Sequence, residues 1–237
     1  MFGIVGLASQ GASIQETKLD VISNNLANVN TPGYKKDRLI FESFSSVLDE
    51  VGKGRPFGVG LAGTSCDFSQ GPLRATANKL DVAIAGKGFF AVDTTNGRVY
   101  TRSGRFSINE SGILCDSNGN QVVGAEGPIS INGTHVEFAS DGSIFVDGKK
   151  AGRFLVMDFP KPYALKKAGD GMYISDMEGF SASNFSIKQG FLEDSSVEAV
   201  EEMANMIESH RAFEANENVV RIIDDLLGRL ISEVPRL

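Results

Sequence analysis

The sequence is poor in the residues that build metal centres and disulfide frameworks. It holds only two cysteines, Cys66 and Cys115, and two histidines, His135 and His210. These four residues do not stand at the spacing of zinc ligands, and there is no CxxC pair. We therefore expect no metal and no cofactor, and interpret both cysteines as small, partly buried apolar residues. A single disulfide stays open for a protein that works outside the cytoplasm.

Basic residues and long apolar runs are also scarce. The chain has 23 Lys and Arg against 30 Asp and Glu, a net charge of -7. Phosphate binding needs clustered basic side chains, so nucleic acid is not expected as a partner. No apolar run approaches the roughly 18 residues of a membrane span, so membrane insertion is not expected. The apolar start at residues 2–8 lacks both a basic flank and a small-residue cleavage site, which argues against a Sec signal peptide.

Motifs that carry catalysis are missing. There is no Walker A loop and no GxSxG elbow. Residues 116–120 resemble a calcium loop, but Gln121 stands where the sharp turn needs glycine, which favours a hairpin turn. His210 and Arg211 could be imagined as an acid–base pair, although an exposed polar pair on an acidic helix is the simpler interpretation. The sequence predicts neither an enzyme nor a small-molecule substrate.

Apolar residues recur every three or four positions at both ends of the chain. This spacing predicts a helix over residues 3–29 and a second helical segment over residues 190–233. Between them, residues 71–189 alternate short apolar pieces with Asn-Gly and Asp-Gly dipeptides, which supply the positive φ angles of tight hairpins. Residues 35–70 form a mixed connector, with a helical turn near residues 41–48 and a glycine-rich loop at residues 52–63.

The predicted fold class is therefore α+β, with N- and C-terminal helices pairing around an inserted all-β domain. Residues 1–34 and 190–237 form a discontinuous helical assembly domain, residues 35–70 a connector, and residues 71–189 a β-rich outer domain. The candidate strands are centred on residues 82–84, 89–92, 99–101, 106–108, 144–146 and 154–157.

Four asparagines, Asn24, Asn25, Asn28 and Asn30, fall within seven positions at the end of the first helix. Amide side chains compete with the helix for backbone hydrogen bonds and usually mark caps and turns. The segment 31–33 (Thr-Pro-Gly) then stops the helix. We expect these amides either to cap the helix end or to satisfy polar groups buried against another chain.

Four motifs, in order along the chain, resemble those of flagellar rod, hook and hook-associated axial proteins. The asparagine run with Thr31-Pro32-Gly33-Tyr34-Lys35 is similar to the N-terminal signature of that family. Residues 80–90 and 100–106 resemble the opening of its β domain and the next hairpin. Residues 190–197 and 206–216 resemble its C-terminal helix. Together the motifs cover nearly the whole chain.

The resemblance implies a structural subunit of the flagellar basal-body rod, which spans the periplasm. Such a protein is exported by the flagellar type III apparatus without a cleaved signal peptide and polymerises through its terminal helices into the torque-transmitting axial structure. Its partners would be further copies, other rod subunits and the export apparatus. Residues 124–129 and the compact β domain resemble the proximal-rod members, with distal-rod or hook-type members as the alternative. A secreted oligomeric adhesin is a further alternative.

The residues that the resemblance assigns to assembly and to the signature lie in two segments. They are Asn24, Asn25, Leu26, Ala27, Asn28, Asn30, Thr31, Pro32, Gly33, Tyr34, Val200, Glu202, Met203, Met206, Ile207, Arg211, Phe213 and Asn216.

Overall fold

Contacts between residues divide the chain into two units, each described by itself below. The computed structural model describes residues 2–41, 61–161, 163 and 165–233. The helical unit comprises the described parts of Met1–Ala27, Lys36–Asp67 and Glu198–Leu237. The β unit comprises those of Asn28–Lys35 and Phe68–Val197.

The helical unit is built on two long helices in contact with each other, α1 (Phe2–Ala27) and α2 (Ala199–Glu233). Gly11 of α1 faces Asn216 of α2, and a Cβ at Gly11 would lie 3.2 Å from the amide nitrogen of that side chain. A small residue at this point thus permits close approach of the helices. The same unit holds an antiparallel strand pair, β1 (Asp37–Phe41) and β2 (Leu61–Cys66).

The β unit consists of short antiparallel strands. Its strands are β3 (Leu73–Ala75), β4 (Val82–Gly86), β5 (Phe89–Thr94), β6 (Gly97–Thr101), β7 (Ser107–Ile108), β8 (Leu114–Cys115), β9 (Gln121–Gly124), β10 (Gly127–Pro128), β11 (Val136–Phe138), β12 (Ser143–Val146), β13 (Lys149–Arg153), β14 (Val156–Asp158), β15 (Leu165–Gly169), β16 (Met172–Ser175), β17 (Phe180–Ser181), β18 (Phe185–Gln189) and β19 (Phe191–Glu193).

The largest sheet has ten strands, in the order β15-β16-β6-β5-β9-β8-β7, with β10 on β9 and β14 joining β5 to β17. Strands β11, β12 and β13 form a second sheet, while β4 pairs with β18 and β3 with β19. The Asp147-Gly148 turn between β12 and β13 has φ angles of 49° and 80°, as a tight hairpin requires. The core is apolar and aromatic, and the Phe90 ring lies 5.1 Å from that of Phe106.

The predicted fold class is confirmed, since terminal helices in contact flank a region of many antiparallel strands. The first helix ends two residues before the predicted end, at Ala27, where the asparagine turn begins. The second helix begins at Ala199 and not at residue 190, so that prediction is wrong at its start. Residues 191–193 instead form β19, because Phe191 and Leu192 pair with β3 and Leu192 is buried there.

The predicted connector is partly a strand pair in the structure. Phe41, expected in a helical turn, ends β1, and Gly63, expected in a loop, lies in β2 opposite Ile40. The rest of that predicted turn and most of that loop lie outside the described residues. Both cysteines are free thiols, Cys66 half-buried in the helical unit and Cys115 buried in the β unit. Burial raises the pKa of the Cys115 thiol.

Candidate assembly site

The asparagine run is held in place by contacts within the chain. Asn25 is only 1% exposed, and its side-chain nitrogen donates a hydrogen bond of 3.0 Å to the Asp37 carbonyl oxygen. The Asp37 N–H donates in return to Asn25 Oδ1 at 2.9 Å. The Asn25 side chain therefore makes the same pair of hydrogen bonds to the Asp37 backbone that a neighbouring strand would make. These two bonds join the end of α1 to the first residue of β1.

The turn after α1 uses the next asparagine. The Thr31 hydroxyl donates to Asn28 Oδ1 at 3.2 Å, and the Thr31 N–H donates to the Asn28 carbonyl at 3.1 Å. The Tyr34 N–H then donates to the Thr31 carbonyl at 3.2 Å. These local bonds turn the chain between the end of α1 and Lys35.

Gly33 brings the N-terminal signature against the segment that precedes α2. Its N–H donates to the Glu193 carbonyl at 2.7 Å, and the Ser196 N–H donates to the Tyr34 carbonyl at 3.0 Å. Gly33 has a φ of +72°, and a Cβ there would lie 2.5 Å from the Arg102 carbonyl carbon and closer still to the Ser103 nitrogen. Only glycine fits this backbone crossing.

Lys35 and Glu193 form the centre of a buried ionic network in the β unit. Both side chains are fully buried, and the Lys35 ammonium donates to Glu193 Oε1. Lys35 also donates to the Ser69 carbonyl at 2.6 Å, and the Gly71 N–H donates to Glu193 Oε1 at 3.0 Å. Buried charges are costly unless they are paired and hydrogen-bonded, and here the neighbouring backbone completes the pairing.

Arg102 supplies a second cation to the same carboxylate. Its Nη1 lies 3.3 Å from Glu193 Oε2, and its Nη2 donates to the Gly86 carbonyl at 2.8 Å. The guanidinium carbon lies 5.1 Å from the centroid of the Phe89 ring, a cation–π distance. Among the residues that the structure describes, the network thus joins two cations and one carboxylate, and carbonyl oxygens and an aromatic ring also face the cations.

The exposed apolar residues of the helical unit lie mainly on α2. Val200, Met203 and Ile207 are 79%, 49% and 63% exposed, and their spacing of three and four residues places them along one side of the helix. The same spacing recurs further along α2, at Val219, Ile222 and Leu226, which are also exposed. Contiguous apolar patches on a protein surface mark interaction sites.

The structure separates the predicted assembly residues by burial. Those exposed are Asn24, Ala27, Asn30, Val200, Met203, Ile207 and Arg211. Those half-buried are Leu26, Asn28, Thr31, Pro32, Met206, Phe213 and Asn216. Those buried are Asn25, Gly33, Tyr34 and Glu202. The large exposed apolar members, Val200, Met203 and Ile207, all lie on α2, while the buried members of the first segment make contacts within the chain. Their role in assembly stays a prediction.

Sequence reasoning did not select the three charged residues of the buried network. Lys35, Arg102 and Glu193 each lie in one of the family-like motifs, next to a buried or half-buried residue of the same motif. A charged residue next to core residues is the signal that could have identified them, since a charged side chain that is buried needs a partner. In the part of the chain that the structure describes, no group of three acidic, histidine or cysteine side chains could hold a metal ion.

Three family models match successive parts of the chain. Residues 7–35 match the model described as flagella basal body rod protein. Residues 83–146 match the D1 domain of the flagellar hook protein FlgE/F/G, and residues 188–233 match the C-terminal part of the flagellar basal body rod FlgEFG protein. The flagellar basal-body rod protein FlgG of Bacillus subtilis is 30% identical, over 92% of this chain and 93% of the relative. The chain belongs to the flagellar basal-body rod FlgE/F/G family.

Other relatives within the FlgE/F/G family match over similar lengths. The flagellar basal-body rod protein FlgF of Caulobacter vibrioides is 33% identical, over 98% of this chain and 96% of the relative. FlgG of Agrobacterium fabrum is 31% identical over 94% of this chain. This member of the FlgE/F/G family is a structural subunit of the basal-body rod and not an enzyme. None of its described helices combines the length and apolarity needed to cross a membrane.

Proposed function

We propose that the chain is a FlgF-type, proximal-rod subunit that is exported by the flagellar type III apparatus and polymerises through its terminal helices. FlgF relatives from Caulobacter vibrioides and Rhizobium meliloti, each 33% identical over 98% of the chain, support this proposal. Residues 1–34 and 190–237 would serve as the assembly domain and residues 71–189 as an outer domain. The predicted assembly residues of both segments would act within that assembly domain.

The observation that carries the assembly role is the exposed apolar stripe of α2. Val200, Met203 and Ile207 leave water only if another surface covers them, and burial of each side chain contributes on the order of 1.5–3 kcal/mol. Association with other rod subunits supplies such a surface. The stripe is therefore the part of the described helical unit best suited to subunit contact.

An Ile207→Asp variant is expected to reach the export pathway but to be absent from purified basal bodies. A carboxylate at this exposed position costs the monomer little, whereas it would be buried without a partner in an assembled rod. The measurement is immunoblotting of culture supernatant and of isolated basal bodies from a strain whose only copy is the variant.

Ile174→Asp is the matched control, because Ile174 is also exposed but lies on β16 of the β unit. This control should assemble normally. Normal incorporation of Ile207→Asp, or equal loss of both variants, would contradict the proposal that α2 makes the subunit contacts.

A FlgG-type, distal-rod subunit is the second candidate, since FlgG relatives match at 30% and 31% identity over most of the chain. Deletion of the gene distinguishes the two. Because a rod grows outward from its base, a proximal subunit is needed for every later addition. We expect basal bodies of the deletion strain to lack the distal-rod protein as well. Rods that keep the other rod proteins and end early would favour the FlgG-type assignment.

A further inference from the structure

The exposed large apolar residues of α2 form two patches with the same spacing. The first patch is Val200, Met203 and Ile207, and the second patch is Val219, Ile222 and Leu226. These six side chains are between 43% and 79% exposed. In both patches the residues follow each other by three and then four positions, which places them along one side of the helix. Each residue of the second patch follows its counterpart by 19 positions, as Val219 follows Val200.

The side of α2 that packs on α1 gives a reference for the two patches. Gly11 of α1 lies against Asn216 of α2, which fixes one point of this packed side. Further buried or half-buried residues recur from it at alternating steps of three and four positions, the spacing of a seam between two helices. The residues of the packed side are Glu202, Met206, Ser209, Phe213, Asn216, Val220 and Ile223.

The two patches lie on opposite flanks of the packed side. An α-helix turns by about 100° per residue, so the first patch is rotated by roughly 80–140° from the adjacent packed-side residues in one direction. The second patch is rotated by roughly 80–130° in the other direction. The exposure agrees with this geometry, because the residue furthest from the packed side is the most exposed in each patch, Val200 at 79% and Ile222 at 59%.

The patches are also displaced from each other along the helix. Nineteen residues of α-helix span about 28 Å, so the second patch lies that far beyond the first. A parallel α2 helix beside the first, displaced by about 28 Å, would bring the first patch of one helix against the second patch of the other. The facing pairs would be Val200 with Val219, Met203 with Ile222, and Ile207 with Leu226.

The chain next to β1 covers the flank of the second patch near the start of α2. Lys36 pairs with Glu201 at 3.8 Å, and β1 lines a groove together with Glu201 and Asn205. By helical geometry both α2 residues fall on the flank of the second patch. A neighbour that docks on this flank therefore meets uncovered helix only further along α2, as the displacement of about 28 Å requires.

We propose that the first patch of one copy packs on the second patch of a neighbouring copy, with the two α2 helices parallel and displaced by about 28 Å. The inference rests on the proposed function, since it names the contact through which the chain would polymerise. Matching apolar spacing on opposite flanks of one helix selects a second copy as the occupant, because both halves of the contact belong to the same chain. Such a contact joins two different surfaces, and its repetition builds an open helical filament when the rotation does not close a ring.

Photo-crosslinking in assembled rods tests this pairing. A photo-reactive amino acid at Met203 should capture residues 219–226 of another copy, and one at Ile222 should capture residues 200–207. Mass spectrometry of crosslinked peptides from isolated basal bodies identifies the captured segment. Within one chain the two patches are about 28 Å apart, so this capture reports a contact between copies.

Glu208 is the matched control for the crosslinking. It is exposed and follows the first patch directly, but it lies on the opposite flank of α2, so the same amino acid there should not capture residues 219–226. Capture at Met203 of residues 200–207 of another copy would show that like patches meet and would overturn the proposal. Capture of a different rod protein, or no capture in rods that contain the variant, would overturn it as well.

A substitution covers the case in which the photo-reactive variants do not assemble. Ile222→Asp should be exported but should lower incorporation into basal bodies at least about tenfold, the change that about 1.4 kcal/mol produces. Arg221→Asp is its matched control, because Arg221 is the adjacent exposed residue and lies on the other flank of α2. The control should be incorporated at the wild-type level, as measured by immunoblotting of isolated basal bodies.

Equal incorporation of Ile222→Asp and Arg221→Asp would overturn the pairing of the two patches. Loss of Ile207→Asp from basal bodies would then still support the proposed function, because the first patch would make subunit contacts with a different surface. The failure of this inference and the failure of the proposed function are therefore distinguishable.

Discussion

A Glu193→Leu variant is expected to lose about 3–5 kcal/mol of the free energy of unfolding of the β unit. The substitution removes the carboxylate that, among the described residues, pairs with both the Lys35 ammonium and the Arg102 guanidinium. It also removes the acceptor of the Gly71 N–H. The loss is large because water does not reach these groups in the folded state.

Lys35→Met should be less harmful than Glu193→Leu. It leaves Glu193 paired with Arg102, so the remaining buried charges balance. The cost is the loss of the hydrogen bonds that Lys35 donates to the Ser69 carbonyl and to Glu193 Oε1, about 1–3 kcal/mol. This order of effects follows from the composition of the network, two cations around one anion, and not from the size of the side chains.

The measurement is urea unfolding followed by tyrosine fluorescence. The chain has no tryptophan and four tyrosines, all in the β unit, so this signal reports on that unit alone. Asp176→Asn is the matched control, because it breaks an exposed ion pair between Asp176 and Lys166. The side chain of Asp176 is 67% exposed and that of Lys166 is 73% exposed. Exposed pairs contribute about 0–1 kcal/mol. Equal losses for Glu193→Leu and Asp176→Asn would show that the buried network does not stabilise the fold.

Gly33→Ala is the substitution with the second largest expected effect. A left-handed backbone costs an alanine roughly 1–2 kcal/mol, and overpacking against the Arg102 and Ser103 backbone costs roughly 1–3 kcal/mol more. The total, about 2–5 kcal/mol, should appear as a lower midpoint of urea unfolding. The clash is with backbone atoms, which cannot rotate away as a side chain could.

Gly171→Ala separates the two contributions. Gly171 has a φ of +69°, close to the +72° of Gly33, but no atom lies within 4 Å of a Cβ built there. The control should therefore show the conformational cost alone. If both variants lose the same stability, the close approach at Gly33 is not what requires glycine.

Much of the fold could be predicted because its signals are local. Apolar spacing predicts both helices, and the Asp-Gly and Asn-Gly pairs predict the hairpins between short strands. The start of α2 was missed, since helical spacing at residues 190–198 competes with strand pairing between β19 and β3, which only the folded chain reveals. The partner of Asn25 was missed for a similar reason, because Asp37 meets it through the backbone and not through its side chain.

The buried network shows that sequence motifs do not predict which charged residues pair in the folded chain. Lys35, Arg102 and Glu193 belong to three separate motifs, and each motif is recognisable without the others. Their function as one group depends on a pairing between Lys35 and Glu193, which lie 158 residues apart. Charge at a single position gives no information about such a partner, whereas the folded β unit brings the three side chains together.

The separation of Lys35 and Glu193 along the chain also sets an order of events in folding. A chain made or threaded from its N-terminus presents Lys35 early, and its carboxylate arrives only after 158 further residues. Closing so long a loop costs entropy that the ionic network must offset, so the β unit completes late. The β unit is therefore complete only once its last strand, β19, is available to pair with β3.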